Sequence, residues 1–214
     1  MYGCGRCTDV AVAALRITQP SHARAIRVPG NRGEGSSLPE LRVLERQVFR
    51  DARGTFAELW RNDEARAAGL PAFVQDNLAR SRRGVVRGLH FQNPRPQAKL
   101  VTAIDGEIFD VAVDVRAGSP TFGHWAAFTL SGSNARQLYV PAGFAHGYQT
   151  VSDVSVVMYK CSDFYSPDHE RAVLWNDDDL AISWPIREPV VSARDSAAPR
   201  LRDVRPEWLP SIDQ

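Results

Sequence analysis

Lysine is almost missing from this chain. Of its 26 basic residues only Lys99 and Lys160 are lysine, and the rest are arginine. A position that keeps the compact ammonium in such a background is a candidate for a role the planar guanidinium cannot fill. Cysteine is scarce as well. Cys4, Cys7 and Cys161 form an odd set, and the Cys4–Cys7 pair has no second pair to complete a four-ligand zinc site. Reduced thiols are expected. No apolar run reaches the roughly 18 residues of a membrane helix, and Val10 to Leu15 is too short for a span or a signal core. The chain therefore reads as cytoplasmic. A net charge of +1 gives no long-range field to draw in nucleic acid or an anionic membrane. Neither is expected as a partner.

What is present is an ordinary globular composition, 43% hydrophobic and 24% charged over 214 residues, enough for one well-buried domain. Residues 1–40 are rich in Arg, Gly and Ser and show no sustained period, so they read as an arm or linker, with residues 41–214 as the domain. Helix formers from Asn62 onward, closed by Gly69 and Pro71, predict one short helix. Strands follow. Leu100 to Ile104 and Glu107 to Val115 flank Asp105-Gly106, a hairpin signal. Phe109, Val111, Val113 and Val115 fall on one face of the second strand and Asp110, Ala112 and Asp114 on the other. For Asp114 the plainer expectation is a solvated sheet face, whereas alternation leaves Asp110 open between that and a site. Further strands at Trp125 to Leu130, Gln137 to Val140, Tyr148 to Val151 and Val154 to Lys160 lie between Gly, Pro, Ser and Asn turns. Short strands spaced this way predict an antiparallel sandwich or barrel. After Phe164 the chain turns irregular and proline-rich.

Four clusters carry ionisable groups beside strand and turn residues: Arg87-Gly-Leu-His90-Phe-Gln92, Gln97-Ala-Lys99, Pro141-Ala-Gly-Phe-Ala-His146-Gly and Val157-Met-Tyr159-Lys. A lone histidine on an apolar strand is more often a core residue than a catalytic one, so no cluster is decisive by itself. The Pro141-to-His146 stretch has the form of the second metal-binding motif of cupins. The matching first motif is incomplete, because His90-Phe-Gln92 has no second imidazole and Asn93 to Leu100 holds no carboxylate. No metal is expected. Proton transfer beside a ketone fits the inventory better. His90 can act as base, Tyr159 can return a proton, and Lys99 and Arg87 offer positive charge to an enolate oxygen. Lys160, next to Tyr159, points to the opposite face by alternation.

These clusters resemble the dTDP-4-dehydrorhamnose 3,5-epimerase family. The resemblance runs from Asp51-Ala-Arg53-Gly-Thr-Phe-Ala-Glu58 through Gln75-Asp-Asn77, the Arg87–Gln92 and Gln97–Val101 stretches and Gly106-Glu-Ile-Phe-Asp110 to Ser119-Pro-Thr-Phe-Gly123. It continues through Gly143-Phe-Ala-His146-Gly, Tyr159-Lys-Cys, Tyr165-Ser-Pro, Trp175-Asn-Asp177 and Ser192-Ala-Arg-Asp195. It implies an all-β, cupin-like jelly roll (a double-stranded β-helix) with short peripheral helices. It further implies a homodimer that epimerises a dTDP-linked 4-keto-6-deoxyhexose without metal or nucleotide cofactor. Carried over by position, His90 resembles the proton acceptor, Asp195 its partner and Tyr159 the donor, while Lys99 and His146 resemble groups around the ketone, with Asp110 nearby. Arg53, Glu58, Gln75, Asn77, Arg87 and Glu170 fall at substrate-contact positions, and Tyr165 at a position that stacks on the thymine; the plainer reading of Tyr165 is an ordinary packing aromatic. Arg194 stands where the family usually has lysine, a change of geometry at a phosphate contact. Residues 1–40 have no counterpart.

Two rivals remain at this level: a 4-ketosugar ketoisomerase, which moves the carbonyl, and a sugar-nucleotide binding protein with a dead site. The sequence does not distinguish inversion at C3, at C5 or at both.

Overall fold

The computed structural model describes residues 16–18 and 38–212, so Cys4 and Cys7 lie outside the described residues. In chain order the elements are β1 (Arg16–Thr18), β2 (Arg42–Glu45), β3 (Val48–Asp51), β4 (Gly54–Ala57), helix α1 (Asn62–Ala67) and β5 (Gln75–Arg82). Then come β6 (Val86–Gln92), β7 (Lys99–Asp105), β8 (Glu107–Asp114), β9 (Trp125–Ser131) and β10 (Arg136–Val140). The chain closes with β11 (Phe144–Thr150), β12 (Val154–Cys161), β13 (Glu170–Ala172) and helix α2 (Ala193–Ser196). Two antiparallel sheets face each other, one of six strands in the order β1-β2-β10-β7-β12-β5 and one of five in the order β13-β6-β11-β8-β9, and β3 and β4 form a separate hairpin. This is the jelly roll that the sequence predicts. Part of the stretch read as an arm belongs to it, because β1 pairs with β2.

Three apolar clusters explain why the layers stay together. Between the sheets, Val101, Leu138 and Val157 of the larger sheet meet Ile108, Leu130 and Phe144 of the smaller. The outer face of the smaller sheet, carrying Phe109, Val111 and Val113, is roofed by Val173, Leu180, Leu201 and Val204 of the irregular C-terminal segment. The outer face of the larger sheet, at Leu44, Leu100 and Tyr139, is covered by Ala65 of α1 and by Leu70. A six-residue helix is too short to hold together alone, so α1 exists because this packing fixes it. Fully burying each large aliphatic side chain contributes on the order of 2 kcal/mol.

Two expectations are corrected. Asp105-Gly106 does not close a hairpin: β7 pairs with β10 and β12, whereas β8 pairs with β11 and β9. Only Gly106 separates the two strands, one residue fewer than the shortest common hairpin loop, and with φ of +72° it turns the chain from one sheet into the other. A side chain there would strike the Val154 carbonyl oxygen, since a Cβ would lie 2.0 Å from it. Nor is Asp114 on a solvated face. It is wholly buried, and its carboxylate accepts from Arg116 Nε at 2.9 Å, Ser119 Oγ at 2.5 Å and Thr121 Oγ1 at 2.6 Å. Because both sheets are covered on both sides, a polar stripe on β8 faces protein, and each carboxylate there needs its own donors.

Candidate active site

Strand alternation places Arg87 and His90, three residues apart, on opposite faces of β6. The structure puts both on one cavity. The pairing of β6 with β11 runs His146 opposite His90 and Tyr148 opposite Arg87, so three steps on β6 match two on β11. This one-residue bulge turns both side chains inward. Two glycines permit it: a Cβ on Gly88 would lie 2.5 Å from the Gly147 Cα, and one on Gly147 would lie 2.7 Å from the Arg87 carbonyl oxygen.

The cavity encloses about 500 Å³ between the sheets, and a smaller one of about 280 Å³ adjoins it, the two sharing His90, Lys99, Tyr159 and Glu170. His90 Nε2 lies 2.7 Å from Asp195 Oδ1. Asp195 is itself fixed by the chain. Ser192 caps α2 by accepting from the Asp195 backbone N–H at 3.0 Å, and the Gly88 N–H donates to Asp195 Oδ2 at 3.5 Å. Burial pushes the Asp195 carboxyl up, but its bonds to His90, Gly88 and Ser192 outweigh this and hold it below the usual carboxylate range. Asp195 is therefore an anion behind His90.

Lys99, on β7, is buried, and its ammonium donates to the His90 carbonyl oxygen at 3.4 Å. Desolvation lowers its pKa, against the opposing influence of Cys161, Glu170 and Asp110. Tyr159 on β12 lines both cavities, and burial, reinforced by Cys161 and Tyr148, pushes its phenol up to about 12. Lys160 takes the other face and binds Asp76 at 2.9 Å, as alternation requires. His146 faces the cavity, with Nε2 3.0 and 3.1 Å from the two oxygens of Asp110, which is wholly buried. Asp110 is thus not on a solvated face: it is bonded to a cavity histidine and lines neither cavity itself.

At the rim, Glu170 Oε2 accepts from the Tyr165 hydroxyl at 2.6 Å and from Arg194 Nη1 at 2.7 Å. Desolvation raises the Glu170 carboxyl, yet these two bonds and His90 bring it below its ordinary value. Gln75 and Asn77 line the smaller cavity, Gln75 Nε2 donating to Asn77 Oδ1 at 3.0 Å. Arg87 Nε donates to Ser81 Oγ at 3.0 Å. Arg53 and Glu58 do not reach either cavity of their own chain. The Arg53 side chain is 90% exposed at the tip of the β3–β4 hairpin and bonds Asp51, while Glu58 pairs with Arg61 at 3.8 Å.

Sequence reading overlooked Tyr148, Ser192 and Cys161 as cavity or supporting residues. Tyr148 had a signal, since it lies two residues beyond His146 on one strand and so shares its face. Among the described residues no group of three or more His, Cys, Asp and Glu side chains is arranged to hold a metal ion.

The same fold and motifs recur in known proteins. The family model for dTDP-4-dehydrorhamnose 3,5-epimerase matches residues 35–203. A dTDP-4-dehydrorhamnose 3,5-epimerase of Pseudomonas aeruginosa is 50% identical over 163 residues, which cover 74% of this chain and 90% of that protein. Among solved structures, the 3,5-epimerase of Legionella pneumophila in complex with dTDP-4-keto-L-rhamnose superposes with a TM-score of 0.80 at 43% identity, covering 82% of this chain and 95% of that one. A 3'-monoepimerase of Streptomyces bikiniensis in complex with dTDP-quinovose gives 0.78 at 35% identity, covering 83% and 92%. A match through nearly the whole described domain, at such identity and with His90, Lys99, Tyr159 and Asp195 gathered on one cavity, establishes that the chain belongs to the dTDP-4-dehydrorhamnose 3,5-epimerase family.

Proposed function

We propose that this protein epimerises a dTDP-linked 4-keto-6-deoxyhexose by proton transfer at a carbon next to the ketone, without metal or nucleotide cofactor. The observation that carries the reading is the meeting of His90, Lys99 and Tyr159 on one wall shared by two cavities, with Asp195 2.7 Å behind the imidazole. Because Nε2 of His90 faces Asp195, Nδ1 is the nitrogen free to take the proton. The C–H bond breaks, its electron pair moves toward the ketone oxygen, and Asp195 stabilises the imidazolium that forms. Lys99 stabilises the enolate oxygen, and His146, held by Asp110, forms the wall beside it; one well-placed donor of this kind is worth about 3 kcal/mol. Tyr159 then gives its phenolic proton to the opposite face of the same carbon, which inverts the centre. A phenol held near 12 stays protonated at neutral pH and is still acidic enough to quench an enolate carbon.

Arg87 and Arg194 suit the diphosphate, since a guanidinium binds phosphate oxygens through paired hydrogen bonds. Gln75 and Asn77 line the smaller cavity, and Tyr165, exposed at its mouth beside Glu170, stacks on the base in this reading. Arg53 and Glu58 contact substrate in this reading only if a second copy presents them. The exposed Phe49 and Phe56 of the same hairpin, and Leu78 on the edge strand β5, give a homodimer apolar surface to bury. The catalytic domain takes in residues 41–214 and the β1 strand that pairs with β2, and the reaction runs in the cytoplasm. Light scattering in solution checks the dimer.

Incubation with dTDP-4-keto-6-deoxyglucose in deuterated buffer, followed by proton NMR of the product, tests the reaction. Inverted centres carrying solvent deuterium at C3, C5 or both support epimerisation. A carbonyl moved to a neighbouring carbon would make the protein a ketoisomerase instead, and recovery of bound but unchanged substrate would make it a binding protein.

A further inference from the structure

One polar group inside the barrel has no part in the chemistry above. Tyr148 follows His146 by two residues on β11, so both side chains enter the space between the sheets. It is only 3% exposed, and its ring packs in the core between the sheets. Its hydroxyl has no hydrogen-bond partner among the described residues. The side chains of Ser81 and Arg87 act on it as hydrogen-bonding neighbours and pull its pKa down, but Arg87 Nε is already engaged with Ser81 Oγ at 3.0 Å, and neither meets the geometry of a full hydrogen bond to the phenol. Tyr148 lines the larger cavity together with His90, Lys99 and Tyr159.

A buried hydroxyl left without a partner destabilises the free protein, and a ligand oxygen that reaches it removes that penalty on binding. Its place in the barrel says which part of a ligand this is. Across the β11–β8 ladder Tyr148 sits opposite Asp110, the carboxylate that holds His146, and across the β11–β6 ladder it sits opposite Arg87, so it lies between the ketone group and the diphosphate, where the hexose ring is held. Tyr165, Gln75 and Asn77 line the other cavity. We propose that Tyr148 is a sugar-binding residue, its hydroxyl donating a hydrogen bond to an oxygen on the hexose ring of the substrate. This rests on the epimerase reading, and it adds a contact on the sugar that neither His90 nor Tyr159 supplies. Burial raises the phenol above its ordinary value, which keeps it a neutral donor.

Tyr148→Phe removes the oxygen and keeps the ring, and two readouts then move in opposite senses. The free protein loses a buried, unpartnered group, so its thermal midpoint stays level or rises. The sugar complex loses a hydrogen bond, so kcat/KM for dTDP-4-keto-6-deoxyglucose falls about tenfold, mostly through KM, while inhibition by dTDP, which has no sugar at this end, changes less than about twofold. Unchanged kcat/KM overturns the proposal. So does an equal loss of dTDP affinity, which would put the contact on the nucleotide, or a lowered thermal midpoint, which would make the hydroxyl structural. A wild-type protein that binds dTDP but never turns over the ketosugar instead removes the epimerase reading, and this assignment falls with it.

Discussion

The barrel holds two histidine–aspartate pairs of the same chemistry and opposite circumstance. His90 and Asp195 meet across more than a hundred residues of sequence at the cavity wall, with the imidazole side chain 27% exposed. His146 and Asp110 are neighbours on adjacent strands, and both are buried. The difference teaches that a carboxylate partner does not by itself make a base. A base must exchange its proton with substrate and solvent, and with its side chain 27% exposed against 7% for His146, His90 is the freer of the two to do so. The first pair has access to a ligand in the cavity, and the second ties β11 to β8.

The sharpest way to break this contrast is to delete each imidazole's contribution in turn, beginning with the exposed one. His90→Ala is expected to lower kcat at least 100-fold, within the roughly 10² to 10⁴ range of a positioned general base. Circular dichroism and the thermal midpoint should stay close to wild type. Near-normal turnover in this variant would sink the assignment of the base.

The two carboxylates give the crossed comparison. Asp195→Ala should cost about 10- to 100-fold in kcat and little stability, because His90 keeps access to water. Asp110→Ala leaves His146 Nε2 buried without an acceptor, a loss of about 1–3 kcal/mol, or about 3–10 °C in thermal midpoint for a domain of this size. Its effect on kcat should stay below that of Asp195→Ala. If the two variants gave the same profile, the division between working and structural pair would be wrong.

Much of this contrast is legible in the sequence, and the parts that are not share a cause. The strand from Val154 to Lys160 and the alternation that sends Tyr159 inward and Lys160 outward follow from period-2 patterning, and the structure keeps them. The family resemblance links Asp195 to His90, which no local pattern could do across that separation. The bulge at Gly88 that brings Arg87 onto the same cavity as His90 was hidden, because alternation assumes an unbroken register. The corner at Gly106 was misread for a similar reason: Asp-Gly marks a turn, but which sheet the next strand joins depends on packing far along the chain. Asp114 misled because one-sided patterning on β8 suggested solvent, whereas the C-terminal segment covers the apolar face of that strand and the face Asp114 shares with Ala112 turns inward between the sheets.

A milder test uses pH. Lys99 must be an ammonium to stabilise the enolate, and burial lowers its pKa, so the neutral form appears below the ordinary lysine value. Tyr159 must be a neutral phenol, and its value of about 12 keeps it so through pH 10. The alkaline limb of kcat/KM should therefore belong to Lys99 and set in below 10.5, with no break at the ordinary tyrosine value near 10. Lys99→Arg should lower the plateau and carry the limb upward. A limb unmoved by that change would transfer it to another group.

The smallest effect expected is none at all, and it bears directly on whether the two pairs are separate. His90 and His146 face each other across the β6–β11 ladder, the arrangement from which a single metal could draw two imidazoles. In this fold each instead directs Nε2 at its own carboxylate, at 2.7 and 3.0 Å, and a metal bound through those nitrogens would have to displace Asp195 and Asp110 together. Prolonged treatment with a strong chelator should leave kcat/KM unchanged. Loss of activity that zinc, iron or manganese restores would mean that the pairs work as one metal centre, with His146 as much a part of the chemistry as His90.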